Sequence, residues 1–315
     1  MAIGLTDITG IKVGVASNLK AATGVTVVLI EDGAQAAVEV RGSAPGTRET
    51  DLLNSCQLVR EIQALVLSGG SAFGLDSAAG VMKYLEEKGS GFSVGPLVVP
   101  IVPAAVLFDL FIGDCNVRPD AAMGYQACLA ASEGSVPEGS VGAGTGATVG
   151  KINGMASAVK TGQGSAAIVR GDLIVAALAA VNAFGDIYNE DNTLMAGPRN
   201  SDTGIMEKTI DLLVDKDVAG FPGNTTLGVI ATNANFNNGE LRKICQLAHD
   251  GLARSIWPVH TMWDGDTIFA LSKGELNTDL NLVGLMAAEA IAMAVRRAAL
   301  TASSLAGIPA LSDLK

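Results

Sequence analysis

Short apolar runs, cut by Gly- and Pro-rich turns, alternate along this chain with longer segments whose apolar positions recur at helical spacing. The first kind reads as buried strand and the second as amphipathic helix. Residues 24–30 and 36–41 are predicted strands. Residues 48–63 and 75–88 fit helices, with a strand over 64–68 between them. A helix over 121–131 follows, then strands over 156–160, 166–169 and 173–182. Helical spacing starts again at 206–213. A strand over 226–231, a helix over 238–256, a short strand over 267–271 and an Ala-rich helix over 279–302 complete the series. The segment 184–201 is polar and loop-like. Several strands adjoin with no helix between them, which favours a mixed sandwich of sheets and helices over a purely parallel doubly wound sheet. No segment reads as an interdomain linker, so one domain over residues 1–315 is expected.

Composition narrows the class. The chain has 315 residues, enough for a sizeable core, and 49% are hydrophobic although only 4% are aromatic. With 38 glycines, close backbone approach between layers is expected. The net charge is −11 and no Lys/Arg cluster stands out, which argues against nucleic acid or an anionic membrane as partner. The uncharged stretch 89–108 is broken by Pro96, Pro100 and Pro103, so it reads as a buried strand and turn rather than a membrane span. The first residues carry no basic region and no long apolar run, so a cytoplasmic protein is expected. Cys56, Cys115, Cys128 and Cys245 form no C-x-x-C pair and read as free thiols.

Several motifs carry candidate chemistry. Gly142-Ala143-Gly144-Thr145-Gly146-Ala147 fits a dinucleotide fingerprint loosely and lacks the acidic residue downstream. Gly150-Lys151 is followed by Ile152, which excludes a P-loop. No cofactor is implied. Ser71 ends a strand in Ser68-Gly69-Gly70-Ser71, but G-x-S-x-G is not satisfied, so this segment reads as a pocket wall. The two histidines, His249 and His260, have no metal-ligand spacing and read as structural or surface residues. A hydrolase built on this chain therefore uses a base other than His. The segment 222–230 runs from Pro-Gly-Asn into two threonines and an apolar strand. It is either an ordinary strand entry or a self-cleavage point. A cut before Thr225 would give that Thr a free amine, with a reference pKa of about 7.7–8.0, so nucleophile and base would share one residue. Lys151 closes the Gly-rich loop and Lys160 ends an apolar run; each either reaches a cleft or snorkels to solvent. Asn182 ends a strand as a turn former or an oxyanion donor. Asp264 and Asp266 flank Gly265 in a turn. They bind solvent, or hold an ammonium group such as the Thr225 amine. No third ligand is evident for a metal.

These motifs together carry a resemblance. Gly4-Leu5-Thr6-Asp7-Ile8, Val40-Arg41-Gly42-Ser43-Ala44-Pro45-Gly46-Thr47-Arg48-Glu49-Thr50-Asp51, Leu67 to Asp76, Val141 to Ala147, the Asn224-Thr225 junction and Asp264-Gly265-Asp266-Thr267 lie along nearly the whole chain. The chain resembles the self-processing aminopeptidases, a family that includes L-aminopeptidase/D-Ala-esterase, β-peptidyl aminopeptidases and nylon-oligomer hydrolases. The resemblance implies a four-layer αββα sandwich and autocleavage between Asn224 and Thr225, giving an α chain of residues 1–224 and a β chain of residues 225–315. It implies an N-terminal-nucleophile amide hydrolase acting on small peptides, amino-acid amides or oligoamides, assembled as a tetramer of cleaved units. By motif, Thr225 is the nucleophile, Asn182 the oxyanion contact, and Lys151 the lysine beside the nucleophile, ahead of Lys160. Asp264 and Asp266 orient and balance the Thr225 amine. Phe108 stands before Asp109 where the nylon-oligomer branch carries a tyrosine. Other relatives use Ser as nucleophile, with Ser and Glu in place of the two aspartates. An endo-acting oligoamide hydrolase, an acyltransferase similar to ornithine acetyltransferase and a non-catalytic binding protein are the alternatives.

Overall fold

The computed structural model describes residues 4–214 and 223–314. Pro222, in the turn before the expected cleavage point, lies outside the described residues. The strands are β1 (Lys12–Asn18), β2 (Thr23–Val40), β3 (Gly46–Arg48), β4 (Glu61–Ser68), β5 (Phe92–Val94), β6 (Leu97–Val99), β7 (Ala104–Val106), β8 (Thr148–Val149) and β9 (Val159–Lys160). They continue with β10 (Gln163–Arg170), β11 (Leu173–Asn182), β12 (Asp186–Tyr188), β13 (Leu194–Ala196), β14 (Thr225–Ala234), β15 (Ile256–Trp257) and β16 (Thr267–Leu276). The helices are α1 (Ser77–Glu87), α2 (Ala121–Leu129), α3 (Thr209–Val214), α4 (Asn238–Ser255) and α5 (Leu280–Leu300).

Nine strands form one mixed sheet in the order β10-β11-β14-β16-β2-β4-β7-β3, with β1 also paired to β2. β14 and β16 run parallel, joined through α4. β2 carries the bend. Its first half pairs with β1 and β4, and its second half pairs with β16. The register against β4 shifts between Leu29 and Ala34, where Gly33 takes φ +86°, a conformation that suits glycine and marks a bulge. The Glu31-Asp32-Gly33 interruption breaks the sequence pattern into two strands, yet the backbone runs on as one. Lys12 (2.7 Å to Glu31) and Lys273 (2.8 Å to Asp32) pair with the two carboxylates there.

Three apolar cores show how the layers stack. Along β11, Val175, Ala177, Ala179 and Val181 face α4 and α5, while Ala176, Leu178 and Ala180 face an inner core. That inner core also takes Leu227 and Val229 from β14, and Leu65 and Leu67 from β4. The sheet therefore folds over on itself, and the period-two alternation of each strand feeds two different cores. The other face of β4, with Ala64 and Val66, packs on Ala78, Val81 and Leu85 of α1 and Ala127 of α2. The result is the four-layer αββα sandwich expected from the resemblance. Small residues allow the close stacking: a Cβ added at Gly251 of α4 would strike the Ala288 carbonyl of α5. A capping box starts α4, with Asn237 Oδ1 accepting from the Glu240 N–H (3.1 Å) and Glu240 Oε2 from the Asn237 N–H (2.9 Å).

Several expectations are corrected. Residues 48–63 do not form a helix: a 3₁₀ turn covers Asp51–Leu53, and β4 already begins at Glu61. The stretch 89–108 is not buried throughout. Phe92, Val94, Leu97 and Val99 lie exposed on the β5–β6 hairpin, and only β7 enters the sheet. Residues 156–160 are a 3₁₀ turn followed by the short β9. The loop-like segment 184–201 holds β12 and β13. No helix among the described residues is long and apolar enough to cross a membrane, and the four cysteines are free.

Candidate active site

Thr225 opens β14 at the centre of the sheet, directly opposite Asn182, the last residue of β11. Directly opposed residues of an antiparallel pair present their side chains on one face, so the ladder itself brings these two together. On the other side, β14 is paired in parallel with β16, whose entry is the Asp264-Gly265-Asp266 turn. Hydroxyl, amide and acidic turn thus meet where three strands begin or end. Both Asn224 and Thr225 are buried.

Among the described residues, two donors reach the Asn224 carbonyl oxygen. The Thr225 hydroxyl donates to the Asn224 carbonyl oxygen. The Gly265 N–H donates to the same oxygen at 3.0 Å. A hydroxyl therefore lies beside the carbonyl group, and a fixed backbone N–H points at the same carbonyl oxygen. Sequence reasoning missed this donor, because a backbone N–H has no residue signature. The signal available was Gly265 itself. A Cβ there would stand 2.6 Å from the Ala44 carbonyl oxygen and 2.7 Å from Thr225 Oγ1. Changing Gly265 to Ala is therefore expected to displace the hydroxyl or the 264–266 turn and leave the chain uncut. A denaturing gel with Thr226→Ser as control checks this, and normal fragments from the Ala variant would remove the donor from the argument.

Asn182 is fully engaged. Its Oδ1 accepts from Lys151 Nζ at 2.8 Å and from the Thr148 N–H at 3.0 Å. Its Nδ2 donates to the Phe108 carbonyl at 2.8 Å and to the Gly223 carbonyl at 3.2 Å, one residue before the junction. Lys151 Nζ also reaches the Asn182 carbonyl at 3.2 Å. Neither lysine snorkels to solvent; both are buried. Burial pulls the Lys151 ammonium down to about 7, against the opposing pull of Asp264 and Asp109. Lys160 is also drawn down to about 7 by burial, but it serves a different place. Its Nζ donates to the carbonyls of Gly144 (3.2 Å), Ala147 (3.0 Å) and Thr161, tying down the Gly-rich loop. Lys160 thus braces the loop backbone beside the site.

The two carboxylates hold the turn and the strand start. Asp264 Oδ1 accepts from the Phe184 N–H at 3.0 Å, and its Oδ2 from the Thr261 hydroxyl at 2.5 Å and N–H at 3.2 Å. Asp266 Oδ1 accepts from the Thr226 N–H at 2.7 Å, so in the uncut chain its partner is the amide after Thr225. Asp266 Oδ2 accepts from His260. Burial, then the neighbouring Asp266 charge, pushes Asp264 up to about 6. No group of three or more His, Cys, Asp or Glu that could hold a metal ion occurs among the described residues.

A cleft of about 230 Å³ opens on this junction, lined by Thr225, Asn224 and Gly223 with Ala44, Ser71 and Trp263 among its walls. Ser71 is thus a wall residue, as the sequence suggested. The Phe108 ring lies against Gly223, where an added Cβ would meet it at 2.6 Å. Beyond Gly223, a cavity of about 10 Å³, room for one water, touches Lys151, Thr148 and Asp109. Asp109 is buried and pushed up to about 6 by that burial, despite hydrogen bonds from the Thr23 hydroxyl (2.7 Å) and Gly70 N–H (2.7 Å). A larger cleft, about 860 Å³ beside α3, α4 and α5, is lined by none of the candidate residues. Its size does not outweigh the convergence of the Thr225 hydroxyl, the Asn182 amide and the Gly265 N–H in the smaller one.

The chain matches the model of peptidase family S58 over residues 4–311. It is 41% identical to an uncharacterized aminopeptidase of Mycobacterium tuberculosis, covering 98% of this chain and 97% of the relative. It is 31% identical to a 6-aminohexanoate-oligomer endohydrolase of Agromyces sp., covering 93% and 84%. The L-aminopeptidase D-Ala-esterase/amidase of Ochrobactrum anthropi, described as a variant of the Ntn hydrolase fold, superposes with a TM-score of 0.75 at 18% identity over 97% of this chain and 88% of that one. With a match to the family model over nearly its whole length, the chain belongs to peptidase family S58 and is an amide-bond hydrolase.

Proposed function

We propose that this hydrolase is made as a precursor, cuts itself between Asn224 and Thr225, and then works as an aminopeptidase through an acyl-Thr225 intermediate. The observation that carries the reading is the Asn224 carbonyl, approached by the Thr225 hydroxyl and held by the Gly265 N–H. In processing, Thr225 Oγ attacks the Asn224 carbonyl carbon and passes its proton to a base, for which we assign the neutral form of Lys151. The C–N bond to Thr225 breaks, the nitrogen takes a proton, and an ester links Asn224 to Thr225 Oγ. Water hydrolyses the ester, leaving the Asn224 carboxylate on a chain of residues 1–224 and a free amine on a chain of residues 225–315.

In the mature enzyme the Thr225 amine takes the hydroxyl proton as Oγ attacks a substrate carbonyl. Departure of the Gly223-Asn224 end frees the Asn182 Nδ2 donor and the Gly265 N–H, and both then serve the substrate oxyanion. Asp264 and Asp266 hold the new terminus, whose neutral-amine fraction sets the rate near neutral pH. The 41% identity to a mycobacterial aminopeptidase supports exo attack on small peptides and amino-acid amides. The 31% identity to oligoamide endohydrolases supports endo attack as a second reading. The products of a defined linear 6-aminohexanoate oligomer separate them, since exo attack releases monomer first and endo attack releases internal fragments.

Intact mass of the purified wild type tests the processing step. Two species are expected, the smaller beginning at Thr225. A single full-length species that hydrolyses aminoacyl amides would overturn self-cleavage.

A further inference from the structure

The chain has two histidines, and the fold puts them side by side behind the acidic turn. Their rings lie 4.8 Å apart, edge to face at 75°. His260 adopts φ +57°, a left-handed conformation that is strained for a non-Gly residue. Two hydrogen bonds to one atom hold it there. Its N–H donates to Asp266 Oδ2 at 3.1 Å, and its Nδ1 lies 2.8 Å from the same oxygen. The other oxygen of Asp266 accepts from the Thr226 N–H at 2.7 Å. Asp266 itself is buried, so its orientation depends on these protein donors.

The surroundings explain why the ring faces one way. His249, on α4, packs against His260 and places its Nε2 3.0 Å from the Glu39 carbonyl. Burial pulls His249 down to about 4, so it presents an uncharged wall. His260 Nε2 has no hydrogen-bond partner among the described residues. With a carboxylate oxygen opposite it, Nδ1 is the ring atom that donates to Asp266. The Arg41 N–H donates to the Asp266 carbonyl and fixes the backbone from the β2 side.

We propose that His260 is a positioning residue for Asp266 and, through it, for the first two residues of β14. One oxygen of the carboxylate is pinned by His260, so the other points at the Thr226 amide. That amide is the first backbone donor after the nucleophile. When the Asn224–Thr225 bond is cut, residue 225 loses its covalent anchor on one side. The His260–Asp266–Thr226 chain keeps the new terminus from fraying away from Asn182. This inference rests on the assignment of Thr225 as nucleophile, and its structural half stands on geometry alone.

The test compares two variants that both suit a left-handed backbone. His260→Asn retains a side-chain donor in the place of Nδ1, and His260→Gly removes it. In the Gly variant kcat is expected to fall by about 10-fold or more with KM nearly unchanged, as for loss of a hydrogen bond to a buried charge. The Asn variant should stay within about 3-fold of wild type, a residue loss smaller than one hydrogen bond. In an Asp266→Asn background, His260→Gly should add little, because its effect runs through that carboxylate. Hydrogen exchange at the Thr226 amide gives a second readout that needs no activity: faster in the Gly variant, protected in the Asn variant. Equal behaviour of the Asn and Gly variants, or an additive loss with Asp266→Asn, would overturn the proposal. Should the wild type prove uncut and inert, the aminopeptidase reading fails, and Thr226 exchange alone then decides the role of His260.

Discussion

Thr225→Ala is expected to give a single full-length chain with no detectable amidase activity. The substitution removes the hydroxyl that donates to the Asn224 carbonyl, and without it the proposed acyl shift and acyl-enzyme have no nucleophile. It leaves the scaffold in place. β14 stays paired to β11 from Asn182 to Val175 and to β16 from Thr267 onward, and the Thr226 N–H keeps its bond to Asp266. The loss in stability should therefore stay near the ordinary cost of a small buried truncation, about 1 kcal/mol. Thr225→Ser retains the hydroxyl and should still give two fragments. Denaturing gels, intact mass and turnover of an aminoacyl amide read all three proteins, with thermal melts showing that each is folded. Two bands from the Ala variant would take Thr225 out of processing. Full activity from an uncut Ala variant would take it out of catalysis as well.

Much of this site was legible because strands announce their ends. β11 runs from Leu173 to Asn182 as the apolar pattern predicts, and α4 and α5 fall within two residues of their expected bounds. Asn182 and Thr225 could thus be named as residues at strand termini, and Lys151 as the cation closing a Gly-rich loop. The failures have physical causes. Leu52, Leu53, Cys56 and Val59 recur at helical spacing, yet the segment joins sheet strands; pairing of β4 with β2 and β7 overrides the local pattern. The sequence offers Lys160 beside Lys151 because one ends an apolar run and the other a Gly-rich loop, and each could reach a cleft. Only the fold separates them, sending one to a side-chain amide and the other to three carbonyls. His260 has no metal-ligand spacing to another residue, so the sequence alone gives it no partner. Its actual partner, Asp266, lies six residues on across a turn whose geometry the sequence pattern does not encode.

Lys151→Met is expected to abolish self-cleavage, or slow it by about 100-fold or more as for loss of a positioned base, while making the protein no less stable near neutral pH. The lysine is buried, and burial lowers its pKa from an ordinary 10.5 to about 7. The unfolded chain thus binds more protons than the folded one between about pH 7 and pH 10.5, so this residue makes stability rise with pH across that window. Below about pH 7 the full burial cost of the ammonium is present. Methionine has similar length and no charge to bury, and Asn182 Oδ1 keeps the Thr148 N–H as donor. The variant should therefore melt at the same or a higher temperature than wild type at pH 6, and gain less on going to pH 10. Lys160 retains its own contribution of the same sign, so the pH dependence shrinks without vanishing. Lys160→Met provides the contrast, since it removes a donor shared by the Gly144, Ala147 and Thr161 carbonyls, of which Gly144 and Ala147 keep a backbone N–H, and should lower the melting temperature relative to Lys151→Met at the same pH. Melts at pH 6 and pH 10, read beside gels of the freshly translated chains, separate a residue kept for chemistry from one kept for structure. Cleavage by Lys151→Met at a rate within about 3-fold of wild type, far short of the loss of a base, would move the proton-accepting role to another group.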